Sequence, residues 1–368
     1  STAPEVVSAM LPFFTEYYGN PSSVYNFAQK SKMAIEDARE IIADSIGAAK
    51  SNEIYFTGGG SESDNWALKS AAFGLRDKGN HIITTKIEHH AILNTCAYLE
   101  KNGFEVTYLD VDSEGFVSLE DVENAITDKT ILISVMFANN EIGTIEPLAE
   151  ISKIAREKNI LFHTDAVQAI GNIKFKIKDI GVDMLSLSGH KLGAPKGVGV
   201  LYLREGIDLD NFLDGGEQER GRRASTENLA SIVGLARAME DAYNNIEDYS
   251  SYTRDLRDYT IEKLLNVDGI ILNGPRENRL PGNINITLKN TKPQTMVQYL
   301  DMFDICVSSG SACAAGSINP SHVLRAIGRS EEDSLSMLRL SLNHENTKEE
   351  CDYVVEKINQ GVKKFKNR

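Results

Sequence analysis

The sequence predicts an α/β protein with two domains. The large domain has a mostly parallel, seven-stranded-type sheet covered by helices, and the smaller C-terminal domain is α+β. Two observations lead to this prediction. Short apolar strands alternate with amphipathic helices through roughly the first 240 residues, and the rhythm changes after a long helical stretch. Strand–helix alternation is typical of a parallel sheet with helices on both faces.

The strand-like runs of the first part are short, apolar and bounded by polar residues. They lie at 53–56, 81–84, 104–109, 130–135, 159–164 and 182–187. Amphipathic helical patterns lie between some of them, at 61–77, 91–101 and 148–157. Ligands in parallel sheets bind at the carboxyl ends of the strands, so we expect the functional residues to follow these runs.

A long helical pattern runs from Asn228 towards Asn266, as one connector or as a bent pair of helices. Runs at 284–287, 304–307 and 338–341 then predict strands of the smaller domain, and a closing helix follows Thr347. The predicted boundaries are 12–247 for the large domain and 248–368, together with 1–11, for the small one.

The composition is that of a globular protein without a nucleic-acid or membrane partner. The 368 residues carry a formal net charge of -14, whereas phosphate binding needs clustered Lys and Arg. The sequence has no apolar run long enough to span a bilayer and no leading signal segment, which favours a cytoplasmic protein. Its four cysteines are widely spaced, so neither a metal site nor a disulfide framework is predicted.

Three polar residues in the middle of the chain predict a cofactor. Lys191 ends the tetrapeptide Ser188–Lys191 after one apolar run, and Asp165, with Gln168 close behind, follows another. An amine can form a Schiff base with an aromatic aldehyde, a carboxylate can pair with its protonated ring nitrogen, and an amide can face its hydroxyl. Together these residues indicate a pyridoxal 5′-phosphate enzyme.

The glycine-rich segment Phe56–Asn65 links a strand to a helix. Its three consecutive glycines allow close approach to an anion, and the helix N-terminus offers free N–H groups to a phosphate. By itself the segment is more typical of a tight turn. Together with Lys191 and Asp165, it favours a phosphate site.

Three other polar residues each have two interpretations. His89 could stack on a flat cofactor or cap a helix. Asn140 could bond to the cofactor hydroxyl or to a substrate carboxylate, or it could be an ordinary turn residue. Arg339 could capture a carboxylate or form a structural salt bridge.

The segment Ser308–Ser317 contains only Gly, Ala, Ser and one cysteine, Cys313. Nothing in it can anchor a core, so the sequence predicts an exposed, mobile loop. A thiol there is better explained as a nucleophile that must move than as packing. It needs a nearby positive charge or base to be mostly thiolate.

These motifs together resemble the cysteine desulfurases of the iron–sulfur-cluster and nitrogen-fixation type, pyridoxal phosphate enzymes of fold type I. The resemblance covers nearly the whole chain. Its most specific pieces are Gly60–Asn65, Asn139–Gly143, Ser188–Lys191 and Ser308–Cys313. It implies conversion of L-cysteine to L-alanine, with delivery of the sulfur to a cluster scaffold or thiolation enzyme.

The resemblance also implies roles for cofactor-binding residues. Lys191 carries the cofactor and moves the substrate Cα proton, and Asp165 pairs with the ring nitrogen. Gln168 and Asn140 address the ring hydroxyl, and His89 stacks on the ring and assists proton transfer. The residues expected at or beside the phosphate are Gly60, Ser61, Ser188 and His190.

Further roles concern the substrate, the sulfur and a second subunit. Arg339 holds the substrate carboxylate together with Asn140, and Cys313 takes the sulfur as a persulfide. Thr226 matches a threonine that reaches the partner subunit's phosphate, which implies a homodimer. On these expectations the large domain binds the cofactor and the small domain carries the cysteine loop.

Three other functions stay open on the residues alone. An aminotransferase would not need the thiol loop, and a selenocysteine lyase would leave cysteine untouched. A non-catalytic scaffold for sulfur-carrier proteins would not need Lys191 and Asp165.

Overall fold

The computed structural model describes residues 2–309 and 320–365, which form two compact units. The strands are β1 (Ile54–Thr57), β2 (His81–Thr85), β3 (Glu105–Leu109), β4 (Thr130–Ser134), β5 (Leu161–Asp165), β6 (Met184–Ser188), β7 (Gly199–Leu203), β8 (Ile270–Leu272), β9 (Asn283–Leu288) and β10 (Met337–Ser341). The helices are α1 (Pro4–Met10), α2 (Pro12–Thr15), α3 (Asn26–Ile46), α4 (Gly60–Gly74), α5 (His90–Lys101), α6 (Leu119–Ala125), α7 (Leu148–Glu157), α8 (Ile177–Ile180), α9 (Leu229–Leu265), α10 (Pro293–Asp301), α11 (His322–Ala326), α12 (Glu331–Leu335) and α13 (Lys348–Phe365).

The first unit contains a seven-stranded sheet in the order β1-β7-β6-β5-β4-β2-β3. All strands from β6 to β3 in this order are parallel, whereas β7 is antiparallel to both of its neighbours. Every residue of β2, β6 and β7 is buried, as expected for a sheet that is covered on both faces. The predicted fold class, a large mostly parallel sheet with helices, is confirmed.

One face of this sheet changes from apolar to polar along the strands. At the amino ends, Ile82, Leu132 and Met184 pack in one core cluster with Trp66 and Leu68 of α4. Side chains alternate across a strand, so the residues two positions further along lie on the same face. Those residues are Thr84, Ser134 and Ser186, joined by His163 and Asp165 of β5, and all are buried.

The second unit contains a three-stranded antiparallel sheet in the order β10-β9-β8. Its core includes Ile284, Ile286 and Leu338 of the sheet and Ile358 of α13. The predicted strands at 284–287 and 338–341 are thus present, and β8 adds a third. Residues 304–307, all within the described part, form no strand, because the chain turns at Asp304 with a φ of 59°.

The compact units differ from the predicted boundaries. The first unit comprises the chain up to Leu109, Leu119–Phe137 and Pro147–Ile246, and the second comprises 110–118, 138–146 and the chain from Glu247 onward. Residues 2–11 belong to the first unit, where Ala3 N–H donates to Gly193 O at 3.0 Å.

Among the described residues, none of the helices is apolar enough over sufficient length to cross a membrane.

Candidate active site

The glycine-rich turn lies at the carboxyl end of β1 and leads directly into α4. Gly59 precedes the helix with φ 151°, and no side chain caps the helix there. A Cβ on Gly60 would lie 2.6 Å from Val167 Cγ2, and a Cβ on Gly199 would lie 2.7 Å from Gly59 Cα. The turn therefore packs this closely against its neighbours only because these positions lack side chains. The uncapped N-terminus of a 15-residue helix can bind an anion through its N–H groups.

Two predicted phosphate ligands lie at the end of β6, beside this turn. Thr57 of β1 and Ser188 of β6 are both register partners of Gly199 in β7, so the two strand ends flank the same residue. Ser188 Oγ lies 2.8 Å from His190 Nδ1. Partial desolvation of the His190 imidazole and the positive charge of Lys191 lower its pKa.

The Asp165 carboxyl group ends β5 and is 6% exposed. Val167 N–H donates to its Oδ1 at 2.9 Å, the only hydrogen bond to this carboxylate from the described residues. Burial raises the pKa of Asp165 to about 6, against the opposing effects of this bond and of the Lys191 charge. The site thus holds a buried carboxylate that a cationic partner would stabilise.

Lys191 closes a short 3-10 turn, Gly189–Lys191, directly after β6. Its side chain is exposed, and its charge acts on both Asp165 and His190. Gln168 is half-buried, three residues after Asp165. An amine, a buried carboxylate and a helix N-terminus therefore occupy one edge of the sheet, because β1, β5 and β6 run in the same direction. This donor set fits pyridoxal 5′-phosphate, which carries an aldehyde, a basic ring nitrogen and a phosphate.

His89 is the N-cap residue of α5. Its Nδ1 accepts a hydrogen bond from Ala91 N–H at 3.1 Å, so a neutral His89 carries its proton on Nε2. The alternative interpretation as a helix cap is thus realised in the structure. It is compatible with ring stacking, since capping occupies only one edge of the half-buried imidazole.

Thr226 lines a cavity of about 240 Å³ together with Thr57 and Gly58 of the glycine-rich turn. Arg223 lines the same cavity and forms a salt bridge with Glu62 in the first turn of α4, at 2.8 Å. The segment around Thr226 thus lies next to the turn within a single chain.

The two substrate-binding candidates, Asn140 and Arg339, belong to the second unit and are in contact. Arg339 donates from Nη1 to the Asn140 carbonyl oxygen at 2.9 Å. The Arg339 and Ser308 backbones are paired by an antiparallel bridge. Downstream, Ser321 Oγ donates to Glu141 Oε2 at 2.5 Å. Cys313 lies outside the described residues.

Comparison with known proteins places the chain in a family. Residues 1–354 match the class V aminotransferases. A cysteine desulfurase IscS of Clostridium botulinum (strain Hall) is 54% identical over 365 residues, covering 98% of this chain and 92% of that protein. The chain belongs to the cysteine desulfurases of the class V aminotransferase family.

Further relatives of this cysteine desulfurase agree in sequence and in structure. The cysteine desulfurase IscS of Methanosarcina thermophila is 53% identical over 363 residues, covering 99% of this chain and 90% of that protein. A NifS-like protein of known structure superposes with a TM-score of 0.91 at 38% identity, covering 98% of this chain and 95% of that one. SspA, solved in complex with cysteine, superposes with a TM-score of 0.81 at 39% identity, over 93% and 95% of the two chains. The predicted family, enzyme class and fold are confirmed.

Sequence reasoning assigned no site role to two buried polar residues of this desulfurase. Asp64 and His163 are 1% and 0% exposed, and both lie near Asp165. The available signal was the run His163-Thr164-Asp165, in which two ionisable residues alternate at the end of an otherwise apolar strand. Such residues on one strand face share an environment.

Proposed function

We propose that this cysteine desulfurase transfers the sulfur of L-cysteine to Cys313 as a persulfide and releases L-alanine, with pyridoxal 5′-phosphate held at the carboxyl edge of the seven-stranded sheet. The observation that carries the proposal is the placement of Lys191, Asp165 and the α4 N-terminus along one edge. The same donors do not explain a scaffold protein, which would gain nothing from a buried carboxylate.

The residues proposed to hold the cofactor can be grouped by the part of the cofactor that each would bind. Lys191 would bind it covalently, Asp165 would face its ring nitrogen, and Gln168 and Asn140 would address its hydroxyl. The phosphate would be bound by residues at the ends of β1 and β6, namely Gly60, Ser61, Ser188 and His190. When bound, the cofactor withdraws electrons from the substrate Cα.

The protein's own residues would position the substrate and move its proton. Lys191 is exposed and can accept the Cα proton once its amine is released. His89, with Nε2 as its donor, would support the ring and the proton transfer. Arg339 uses Nη1 to bond Asn140, and the guanidinium offers five N–H donors, which is compatible with binding a carboxylate as well.

The sulfur step balances without an added oxidant. The Cys313 thiolate attacks the substrate sulfur, and the carbon–sulfur bond breaks. The sulfur stays on Cys313 as a persulfide, while the three-carbon fragment gains protons and leaves as alanine. The same number of electrons is present before and after, because the substrate carbon is reduced as the sulfur is oxidised.

The proposal includes a homodimer. Within the first unit, exposed apolar side chains are concentrated near the amino end: Val7, Leu11, Phe14, Tyr18, Val24, Tyr25, Phe27 and Met33. If these side chains form one contiguous surface, it would be typical of an interface between proteins. Thr226, exposed beside the glycine-rich turn, would then reach a phosphate of the partner subunit. We also propose a cytoplasmic location and a protein acceptor for the persulfide sulfur.

The test is substitution of Cys313 by serine in the enzyme loaded with pyridoxal phosphate. We expect Cys313→Ser to keep the visible absorbance of the cofactor, to lose the persulfide and to stop sulfur transfer. Cys306→Ser is the matched control, since Cys306 is an exposed cysteine of the described residues and should be dispensable. Full activity of Cys313→Ser would refute the proposed sulfur step, and amination of an added keto acid would indicate an aminotransferase.

A further inference from the structure

A second buried carboxyl group lies beside Asp165, and the mechanism above does not use it. Asp64, in the first turns of α4, is 1% exposed, and its Oδ1 has no hydrogen-bond partner among the described residues. The α4 helix covers the sheet face with Trp66 and Leu68 over the apolar amino ends of the strands. Asp64 therefore lies over the polar carboxyl ends.

Asp64 lies against a chain of hydrogen bonds within this polar layer. Ser186 Oγ lies 2.9 Å from His163 Nε2, and Asp64 Oδ1 lies 3.8 Å from the same nitrogen. His163 Nδ1 lies 2.9 Å from Ser134 Oγ. Ser186 is the register partner of Asp165, so this chain runs directly beside the Asp165 carboxylate.

The charges that face Asp64 disfavour its ionisation. Burial and the negative charges of Asp165 and Glu88 raise its pKa well above the usual range. His163, from β5, does not compensate, because burial lowers its pKa to about 3 and leaves it neutral. Two adjacent buried carboxyl groups hold one charge more readily than two, and the positive charge of Lys191, which lowers the pKa of Asp165, favours Asp165 as the ionised member.

We propose that Asp64 is a positioning residue of the ring-nitrogen subsite: it stays the neutral acid, packs against the hydrogen-bonded pair Ser186 and His163, and leaves the charge of the carboxyl pair on Asp165. This inference rests on the proposed pairing of Asp165 with the cofactor ring. Asp64 itself touches neither cofactor nor substrate on this account. It acts by fixing the polar layer and by keeping a second negative charge away from Asp165.

The protonation of Asp64 can be tested on the cofactor-free protein by comparing the wild type with Asp64→Asn. Asparagine keeps the shape and is always neutral. If folded Asp64 stays protonated while unfolded Asp64 ionises, the wild type loses stability with rising pH and the variant does not. The ratio of the wild-type unfolding equilibrium constant to that of the variant then rises about tenfold per pH unit between about pH 5 and 7. Buried acids remote from Asp64 are common to both proteins and cancel, and repeating the comparison in an Asp165→Asn background removes any contribution from a change in the ionisation of Asp165. A ratio that does not change over this range would overturn the proposal.

The positioning role is tested by cofactor binding. We expect Asp64→Asn to bind pyridoxal 5′-phosphate within about twofold of the wild type, with an unchanged pH profile of alanine release. Ser186→Ala and Asp64→Ala should each weaken binding at least fivefold and shift that profile. Equal binding by all four proteins would contradict the role of Asp64. Asp165→Asn separates the two proposals: if it binds the cofactor normally, the ring-nitrogen pairing is wrong, while the unfolding result on Asp64 stands.

Discussion

Removing the Glu219 carboxylate should destabilise the first unit more than any exposed ion pair could. Glu219 accepts two hydrogen bonds from Arg39, at 2.9 and 3.0 Å, and a third from Phe56 N–H at 2.9 Å. The two side chains are only 3% and 4% exposed. In Glu219→Ala, the Arg39 guanidinium loses its buried counterion and is left with the exposed Glu36 carboxylate, at 3.4 Å from Nε. Breaking a buried pair in this way costs about 3–5 kcal/mol.

The assay is urea unfolding of the cofactor-free protein. With an m-value of about 3 kcal/mol/M, the expected loss lowers the midpoint by roughly 1–1.7 M. Glu205→Ala is the matched control, because its bridge to Lys50 is more than half exposed on both sides and its loss should leave the midpoint unchanged. A midpoint shift for Glu219→Ala below about 0.3 M would refute the reasoning. Because Glu219 also bonds to the strand that leads into the glycine-rich turn, cofactor affinity should fall in the same variant.

Two further predictions follow from close packing and from burial. Gly60→Ala places a Cβ 2.6 Å from Val167 Cγ2, so the turn or Val167 beside it must shift. We expect at least about tenfold weaker pyridoxal phosphate binding by absorbance titration. Gly74→Ala, whose Cβ would make only ordinary contacts, should bind normally, and equal losses in both would contradict the argument. Burial raises the pKa of Glu146 to about 8, so its stabilising contribution is present at low pH and is lost as the pH rises to 8. Glu146→Gln keeps an acceptor for Val117 N–H. Its unfolding free energy should rise relative to that of the wild type by a few kcal/mol between pH 5 and 8, on the order of 1.4 kcal/mol per unit of pKa shift. A difference in unfolding free energy that stays constant over this range would disprove the prediction.

Local patterns predicted most of the elements. The helix at 148–157 begins and ends where predicted, and the long pattern after Asn228 forms the single helix Leu229–Leu265. Amphipathic periodicity is a local property, and so it can be read without knowledge of the partners. The strand predicted at 304–307 was wrong: Ile305 and Val307 pack with the core of the second unit, but the segment forms no strand.

The division into units was harder to predict, because it depends on contacts between distant segments. Residues 110–118 and 138–146 interrupt the first unit in sequence but belong to the second. There Thr144 Oγ1 donates to Glu114 O at 2.6 Å, and Glu146 accepts from Val117 N–H at 3.1 Å. Side chains in such turns give no periodic signal.

The sequence by itself determined which residues could do the chemistry: a lysine and an aspartate that follow apolar strands, a glycine-rich turn before a helix, and one cysteine in a segment of small residues. These are properties of residue type and order. Only the tertiary structure decided how Asp165 is surrounded, because its pKa depends on burial and on Lys191, which lies 26 residues away in sequence. Asp64 lies within the helical pattern at 61–77, and only packing against β5 and β6 made it a buried acid beside Asp165.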